Sequence, residues 1–473
     1  ELRDTKRYPM PMGQHLSLSG AIRQCRDVPP AWPCPDPNYA AASRWLLPYL
    51  IGGTTASAAP SRLAVAWWAV ARSFTTAETV LLGGRYWSEK ECYIEALRID
   101  PTSAPVWINL GGAMSGTEAA RVGGRVWSRK NCFIEALRID PTSAPAWRNL
   151  GVAMSASTAE TARVGGRDRS RKECFIEAVR IDPTSAPVWI HLGGAMSGTE
   201  AAQVGGRDRS KKECYVEALC IDPNDSFAWS NLGIAMSGTE RARIGGRDRS
   251  KKGCYVEALC IDPNDSFVWN YVGAAMSGAE TVRVGARDWS NKECFVEALR
   301  IDPTNAAAWS NLGAAGVETV QVGWRLLSNQ HCFIEALCRD PSSAPVWINL
   351  GVVVPGDKTV RVGGRDWSKK ECYIEAIRID PISASAWRYL GVAMSGAETA
   401  RVGGRDWSVK ECYIEVLRID PSSAPAWRYL GVVMSGAETA RVGGREWGKK
   451  DCYVEALRID PTLPSADRGC LVS

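Results

Sequence analysis

One phrase returns about every 40 residues through most of this amino-acid sequence. With small variations it reads Cys-Tyr/Phe-x-Glu-Ala-Leu-x-x-Asp-Pro, followed by Ala-x-x-Trp-x-x-Leu-Gly. A unit of this length buries its apolar face only against a neighbouring copy, so the period predicts a stacked repeat array rather than separate globular domains. The ten cysteines that open the copies are Cys92, Cys132, Cys174, Cys214, Cys254, Cys294, Cys332, Cys372, Cys412 and Cys452.

The first half of each copy has the pattern of an amphipathic helix. In the copy that contains Cys372, Ser368 and Glu371 have the spacing of a capping box, in which the serine caps an amide and the glutamate reaches back. Tyr373 and Ala376 follow on one helical face. Pro381 ends the helix, because the residue before a proline is displaced from helical geometry.

A second helix signal follows in the same copy. Trp387, Leu390, Gly391 and Met394 are spaced by 3, 4 and 7 residues from the tryptophan, which predicts an apolar stripe that faces a neighbouring helix. Glycine is unfavourable inside a helix, so we expect Gly391 to allow a close approach of two helices.

Between the second helix and the next copy's first helix lies a segment with a Gly-Gly pair. In one copy, Gly403 and Gly404 separate the flanks Thr399–Val402 and Arg405–Ser408. A glycine pair supplies the two positive φ angles that a tight hairpin turn requires. We therefore predict a short β-hairpin, packed on the helices through Trp407; a plain loop is the alternative.

The order of these residues resembles the tetratricopeptide repeat (TPR) family. The resemblance implies an all-α, right-handed α-α superhelical solenoid with short β-hairpin-like insertions at the turns between helix A and helix B. Each copy is about six residues longer than the family's 34, and the surplus falls in those insertions. Helix A of the family is matched by Trp387, Leu390 and Gly391, and helix B by Tyr373, Ala376 and Pro381.

Three regions follow from the extent of the repeat. Residues 1–60 lack it and are rich in proline, so we expect an irregular N-terminal segment. Residues 61–462 form the TPR-like array of about ten repeats. Residues 463–473 are expected to be a flexible C-terminal tail.

Composition limits the location and the class of the protein. The chain has 57 basic and 52 acidic residues, a near balance that argues against a nucleic-acid binder. Ten of its 16 cysteines occupy one fixed place per copy, too far apart for disulfides, so we interpret them as buried thiols of a cytoplasmic protein. No run of 18 apolar residues predicts a transmembrane segment. Cys470 lies in a prenylation motif, and a peripheral membrane location is the alternative.

The chemistry of an active site is not recognisable in the sequence. The three histidines, His15, His191 and His331, are isolated from one another and from any nucleophile–base pattern. Acidic residues recur at the same place in nearly every copy, whereas an active site is needed once. We therefore expect no enzyme activity, no cofactor, no metal and no small-molecule substrate.

A binding surface is what the TPR resemblance implies. In that family helix A lines a concave groove, and the two residues after its tryptophan face the groove. An asparagine amide both donates and accepts hydrogen bonds, so a row of them suits the backbone of an extended peptide. The candidate contacts are Asn109, Asn149, Asn231, Asn311, Asn349, Arg388, Tyr389, Arg428 and Tyr429.

These observations predict a non-enzymatic scaffold that binds a peptide of a protein partner. One alternative is the TPR portion of a larger enzyme, such as an O-GlcNAc-transferase-like glycosyltransferase. Another is RNA or phosphate binding by the basic insertions at 163–172 and 243–252, although Asp168 and Asp248 dilute their charge. Under a third interpretation the asparagines are solvated consensus residues without a ligand.

Overall fold

The computed structural model describes residues 60–72, 79–82, 85–155, 160–316, 319–394 and 397–462. The irregular segment expected at 1–60, except for Pro60, lies outside the described residues. The expected tail at 463–473, with Cys470, lies outside them as well. Those expectations remain predictions.

Within the described residues, helices A and helices B alternate along the chain. The helices A are α1 (Pro60–Arg72), α3 (Ala104–Ala113), α5 (Ala144–Ala153), α7 (Ala186–Ala195), α9 (Ser226–Ala235), α11 (Ser266–Ala274), α13 (Ala306–Ala314), α15 (Ala344–Val353), α17 (Ala384–Ala393) and α19 (Ala424–Val433). The helices B are α2 (Glu89–Ile99), α4 (Arg129–Ile139), α6 (Arg171–Ile181), α8 (Lys211–Ile221), α10 (Lys251–Ile261), α12 (Asn291–Ile301), α14 (Asn329–Arg339), α16 (Lys369–Ile379), α18 (Val409–Ile419) and α20 (Lys449–Ile459).

A two-stranded antiparallel hairpin joins each helix A to the following helix B. The strands, in order, are β1 (Thr79–Leu82), β2 (Arg85–Ser88), β3 (Ala119–Val122), β4 (Arg125–Ser128), β5 (Thr161–Val164), β6 (Arg167–Ser170), β7 (Ala201–Val204), β8 (Arg207–Ser210), β9 (Arg241–Ile244), β10 (Arg247–Ser250), β11 (Thr281–Val284), β12 (Arg287–Ser290), β13 (Val320–Val322), β14 (Arg325–Leu327), β15 (Thr359–Val362), β16 (Arg365–Ser368), β17 (Thr399–Val402), β18 (Arg405–Ser408), β19 (Thr439–Val442) and β20 (Arg445–Gly448).

Local capping fixes the bounds of helix B. The amide of Glu371 donates to Ser368 Oγ at 3.3 Å, and the Ser368 amide donates to Glu371 Oε2 at 2.8 Å. Asp380 ends the helix in an extended conformation, with φ −128° and ψ 90°. The predicted capping box is confirmed in six copies, at Ser88, Ser170, Ser210, Ser290, Ser368 and Ser408.

The predicted hairpins are confirmed as well. Gly403 and Gly404 have φ of 59° and 84°, so both take the left-handed conformation of a two-residue turn. The Trp407 ring lies 4.5 Å from the Trp387 ring of helix A, centroid to centroid. An isolated hairpin is marginal in water, and this aromatic contact attaches it to the helices.

Helix A and helix B pack closely through a glycine on helix A. A Cβ atom placed on Gly351 would lie 2.6 Å from Cε1 of Tyr373 on helix B, closer than real contacts allow. In the nine copies from α3 to α19 the helix A tryptophan is buried beside this glycine, and the Trp387 indole Nε1 donates to the Pro381 carbonyl at 3.0 Å. Glycine is therefore required at this position because an aromatic ring occupies the space of its side chain.

In at least six copies, an ion pair joins helix B to the loop that follows the next helix A. Lys130 Nζ lies 2.9 Å from Glu160 Oε1, and the other carboxylate oxygen of Glu160 accepts the Ser155 amide at 2.7 Å. The same pairing recurs in Lys90–Glu118, Lys172–Glu200, Lys252–Glu280, Lys370–Glu398 and Lys410–Glu438.

The chain divides into two compact units, Glu1–Pro223 and Asn224–Ser473. Within the described part of each unit, every helix B contacts the helix A before it and, where the same unit contains one, the helix A after it. Helices A of successive copies also contact one another, as α3 and α5 do in the first unit and α15 and α17 in the second. Among the described residues, no helix has the length and apolar character needed to span a membrane.

Two adjacent glycines of α3 test the close-packing argument. A Cβ on Gly111 would lie 2.7 Å from the Phe133 ring, whereas one on Gly112 would meet nothing within 4 Å. We expect Gly111→Ala to lower the free energy of unfolding by about 1–3 kcal/mol through overpacking. Gly112→Ala should raise the free energy of unfolding by about 0.5–1 kcal/mol, because alanine loses less conformational freedom than glycine when the helix forms. Urea unfolding monitored by circular dichroism measures both; shifts of the same sign contradict the argument.

Glu160 predicts a pH dependence of stability. Hydrogen bonds donated by Lys130 and by the Ser155 amide lower the pKa of the Glu160 carboxyl from 4.5 to about 2. Because the folded pKa is the lower one, this stabilisation is complete above about pH 4.5 and is lost as the pH falls towards 2. Glu160→Gln should therefore be less stable than the parent chain at pH 6, and the difference should vanish near pH 2. Urea midpoints across this range are the measurement.

Glu446→Gln is the matched control, because Glu446 forms no ion pair with any described residue. If the stability difference between Glu160→Gln and the parent chain does not change with pH, the lowered pKa of Glu160 is not its cause.

Candidate functional site

The two residues after the helix A tryptophan, named here the Trp+1 and Trp+2 positions, contain every candidate contact found in the sequence. They lie in the middle of helix A. The tryptophan itself and the leucine three residues after it are buried, as Trp387 and Leu390 show. The Trp+2 residue is partly exposed in all nine described copies that match the motif, from Asn109 to Tyr429.

The Trp+1 position does not face the surface in every copy, contrary to the expectation that both positions do. Ile190, Ser230, Asn270 and Ile348 occupy this position and are buried, with 4–9% of their surface exposed. For Asn270 the reason is the contact between successive helices A, since Asn311 Nδ2 on α13 donates to Asn270 Oδ1 on α11 at 2.8 Å. Arg388 and Arg428 at the same position are half-buried.

The five candidate asparagines differ in what they already bind. Asn231 Nδ2 donates to the Phe227 carbonyl at 2.8 Å, within its own helix. Asn149 Oδ1 accepts from the Arg148 guanidinium at 3.1 Å, and Asn311 bonds to Asn270. Asn109 and Asn349 make no hydrogen bond to any residue that the structure describes. The structure therefore leaves Asn109 and Asn349 as the amides with all their donors and acceptors available.

The tyrosines at Trp+2 stack on the aromatic residue of the preceding helix B. Tyr389 lies 5.6 Å from Tyr373, centroid to centroid, with 16° between the ring planes. Tyr429 lies 5.4 Å from Tyr413 at 13°. The same arrangement joins Phe175 to His191 and Tyr255 to Tyr271.

These pairs were missed in the sequence, although a signal for them exists. The helix B aromatic precedes the Trp+2 residue by 16 residues in every pair, as from Tyr373 to Tyr389. The stacks hold Tyr389 and Tyr429 in one orientation, so each presents a fixed aromatic edge and hydroxyl.

Arginines accompany the two C-terminal stacks. The Arg388 guanidinium carbon lies 4.2 Å from the centroid of the Tyr389 ring, and that of Arg428 lies 5.6 Å from Tyr429. Both distances are within the range of a cation–π contact. The predicted cationic and aromatic character of this end is therefore present as paired groups rather than as independent side chains.

Burial and the Arg388 charge act in opposite directions on the underlying tyrosines. Burial raises the pKa of Tyr413 to about 12, while the positive charge of Arg388 lowers it. Burial likewise raises the pKa of Tyr373, with Arg388 again opposing. The guanidinium charge therefore acts on the Tyr373 ring and on the Tyr413 ring.

The basic insertions, the rival candidate for binding, have part of their charge paired. Arg169, Arg209 and Arg249 replace the hairpin tryptophan in three copies. Their guanidinium groups lie 3.4, 2.9 and 2.6 Å from Glu177, Glu217 and Glu257 of helix B. These pairs reduce the field that a phosphate backbone would meet.

The ten repeated cysteines are buried free thiols, as expected. Burial raises the pKa of Cys372 to about 12, so this thiol is neutral and unreactive at physiological pH. The described residues contain no group of three or more histidine, cysteine, aspartate or glutamate side chains placed to hold a metal ion.

Comparison with known proteins identifies similar solved structures only. No protein-family model matches the sequence, and no curated protein matches it. The human IFIT1 dimer with PPP-AAAA is 14% identical over 78% of this chain and 73% of that chain, with a TM-score of 0.35. Yeast Tom70 is 12% identical over 79% of this chain and 80% of that chain, with a TM-score of 0.32. At these scores the similarity assigns neither a family nor a function to the chain.

Asn311 and Asn349 occupy the same repeat position. Substituting each one by alanine distinguishes an asparagine that stabilises the fold from one that is available for binding. Asn311→Ala leaves the buried Asn270 Oδ1 without its donor, so we expect a loss of about 1–3 kcal/mol in the free energy of unfolding. Asn349→Ala removes no hydrogen bond to a described residue and should change stability by less than about 0.5 kcal/mol. Equal losses in a thermal or urea unfolding series would exclude the Asn270–Asn311 bond as the cause.

Proposed function

We propose that this chain is a non-enzymatic scaffold of tetratricopeptide type, and that it binds an extended peptide of a protein partner along the Trp+2 positions of its helices A. The cytoplasmic location and the right-handed superhelical course that the TPR resemblance implies belong to the same proposal. The family itself rests on that resemblance, and the paired helices with their repeated packing support it.

One observation carries the proposal. The Trp+2 side chains return once per copy, are partly exposed, and are mostly amides or phenols: Asn349, Tyr389 and Tyr429 occupy three successive helices A. Because helices α15 and α17 are in contact, their Trp+2 residues follow one another along one side of the stack. A row of neutral donors and acceptors at repeat spacing matches the backbone of an extended chain.

The rigidity of this row supports the proposal. Tyr389 and Tyr429 are held by stacking on Tyr373 and Tyr413, which reduces the conformational entropy lost when a ligand binds. Asn349 has its amide available. Among the described residues, no specific observation favours the glycosyltransferase or the RNA-binding alternative.

The test is a selection of random nonapeptides, displayed as fusions, with the full chain as bait. Selected peptides are then measured by fluorescence anisotropy against Asn349→Ala/Tyr389→Phe/Tyr429→Phe. This variant keeps both ring stacks and removes three polar groups. We expect affinity to fall at least about tenfold, as the loss of two or three net hydrogen bonds implies.

The matched control is Glu375→Gln/Arg378→Gln, which removes the ion pair between Glu375 and the exposed Arg378 on helix B. It should bind the selected peptides as the parent chain does. Failure to select any peptide, or equal binding by the triple variant, would contradict the proposed function.

A further inference from the structure

Arg388 is a half-buried arginine without an acidic partner. Other arginines of the same copies are paired: Arg365 lies 3.1 Å from Glu371, and Arg378 lies 2.5 Å from Glu375. Arg388 makes no ion pair and no side-chain hydrogen bond with any residue that the structure describes. A guanidinium group removed in part from water and not paired is costly, so this position attracts an anion.

The surroundings of Arg388 are aromatic. Its guanidinium carbon lies 4.2 Å from the Tyr389 centroid, and Tyr389 in turn stacks on Tyr373. The stack holds the Tyr389 ring against the guanidinium group. The N–H groups of Arg388 have no acceptor among the described residues.

The charge balance selects the kind of anion. One guanidinium group compensates one negative charge, which fits a carboxylate; a phosphate dianion would keep an uncompensated charge. A carboxylate also matches the planar fork of arginine, which binds two oxygens side by side.

The neighbouring copies fix where along the array this preference applies. In the copy before, the Trp+1 position holds Ile348, which is buried and apolar. Arg388 therefore introduces a positive charge beside the Trp+2 row in this copy, and Arg428 adds another in the next copy.

We propose that Arg388, held against the ring of Tyr389, binds the side-chain carboxylate of an aspartate or glutamate in the bound peptide. This inference rests on the proposed function and names the chemistry of its ligand. It makes the acidic residue the one that fixes the register of the peptide on the array.

The experiment is the same nonapeptide selection carried out in parallel on the parent chain, Arg388→Gln and Arg378→Gln. The library peptides are fused at their C-termini, so aspartate and glutamate side chains supply the only carboxylates. The parent and Arg378→Gln pools should become enriched in acidic residues at one position. The Arg388→Gln pool should lack this enrichment.

A second measurement uses one selected peptide and its Glu→Gln or Asp→Asn analogue. The analogue should bind the parent chain about 10- to 100-fold more weakly, as the loss of a charge-assisted hydrogen bond implies. The two peptides should bind Arg388→Gln equally, and circular dichroism melting checks that this variant is folded.

The outcomes separate the two proposals. Peptides selected without an acidic position, or an acidic preference that persists in Arg388→Gln, would overturn the carboxylate site and leave the peptide-binding function in place. A selection that enriches no peptide with any bait would overturn both.

Discussion

The contact between a glycine of helix A and an aromatic ring of helix B is the constraint on which the rest of the structure depends. It recurs from Gly111 with Phe133 to Gly431 with Tyr453, always at a distance that leaves little or no room for a Cβ atom. The ring therefore fixes how closely the two helices approach. In several copies the same ring also stacks on the Trp+2 residue of the next helix A, as Tyr373 does on Tyr389. Packing within a repeat and the orientation of the candidate binding residues are thus set by one side chain.

The hairpin insertions are attached to the helices by two kinds of interaction. Where a hairpin carries tryptophan, the indole packs on the helix A tryptophan, as Trp407 does on Trp387. Where it carries arginine, the guanidinium pairs with a glutamate of helix B, as Arg249 does with Glu257. In that copy the helix itself has Cys260 where other copies have an arginine beside the same glutamate. The hairpin therefore supplies the cation that the helix lacks.

Most of the fold was predictable from the sequence because its determinants are local. Ser368 with Glu371 marks a helix start, Asp380 before Pro381 marks its end, and Gly403 with Gly404 marks a turn; each acts through its own backbone and near neighbours. The site was less predictable. Whether a Trp+1 residue is buried depends on the adjacent helix A, as the Asn311 bond to Asn270 shows. That contact joins residues 41 positions apart, and no local pattern encodes it.

The binding role of the Trp+2 row is tested most directly by photo-crosslinking. A benzophenone amino acid placed at 349, on the row, is compared with one placed at 378, on the exposed face of helix B, using a peptide selected on the parent chain. The account predicts covalent capture from 349, competed by unlabelled peptide, and none from 378. Capture from 378 alone, or equal capture from both positions, would contradict it.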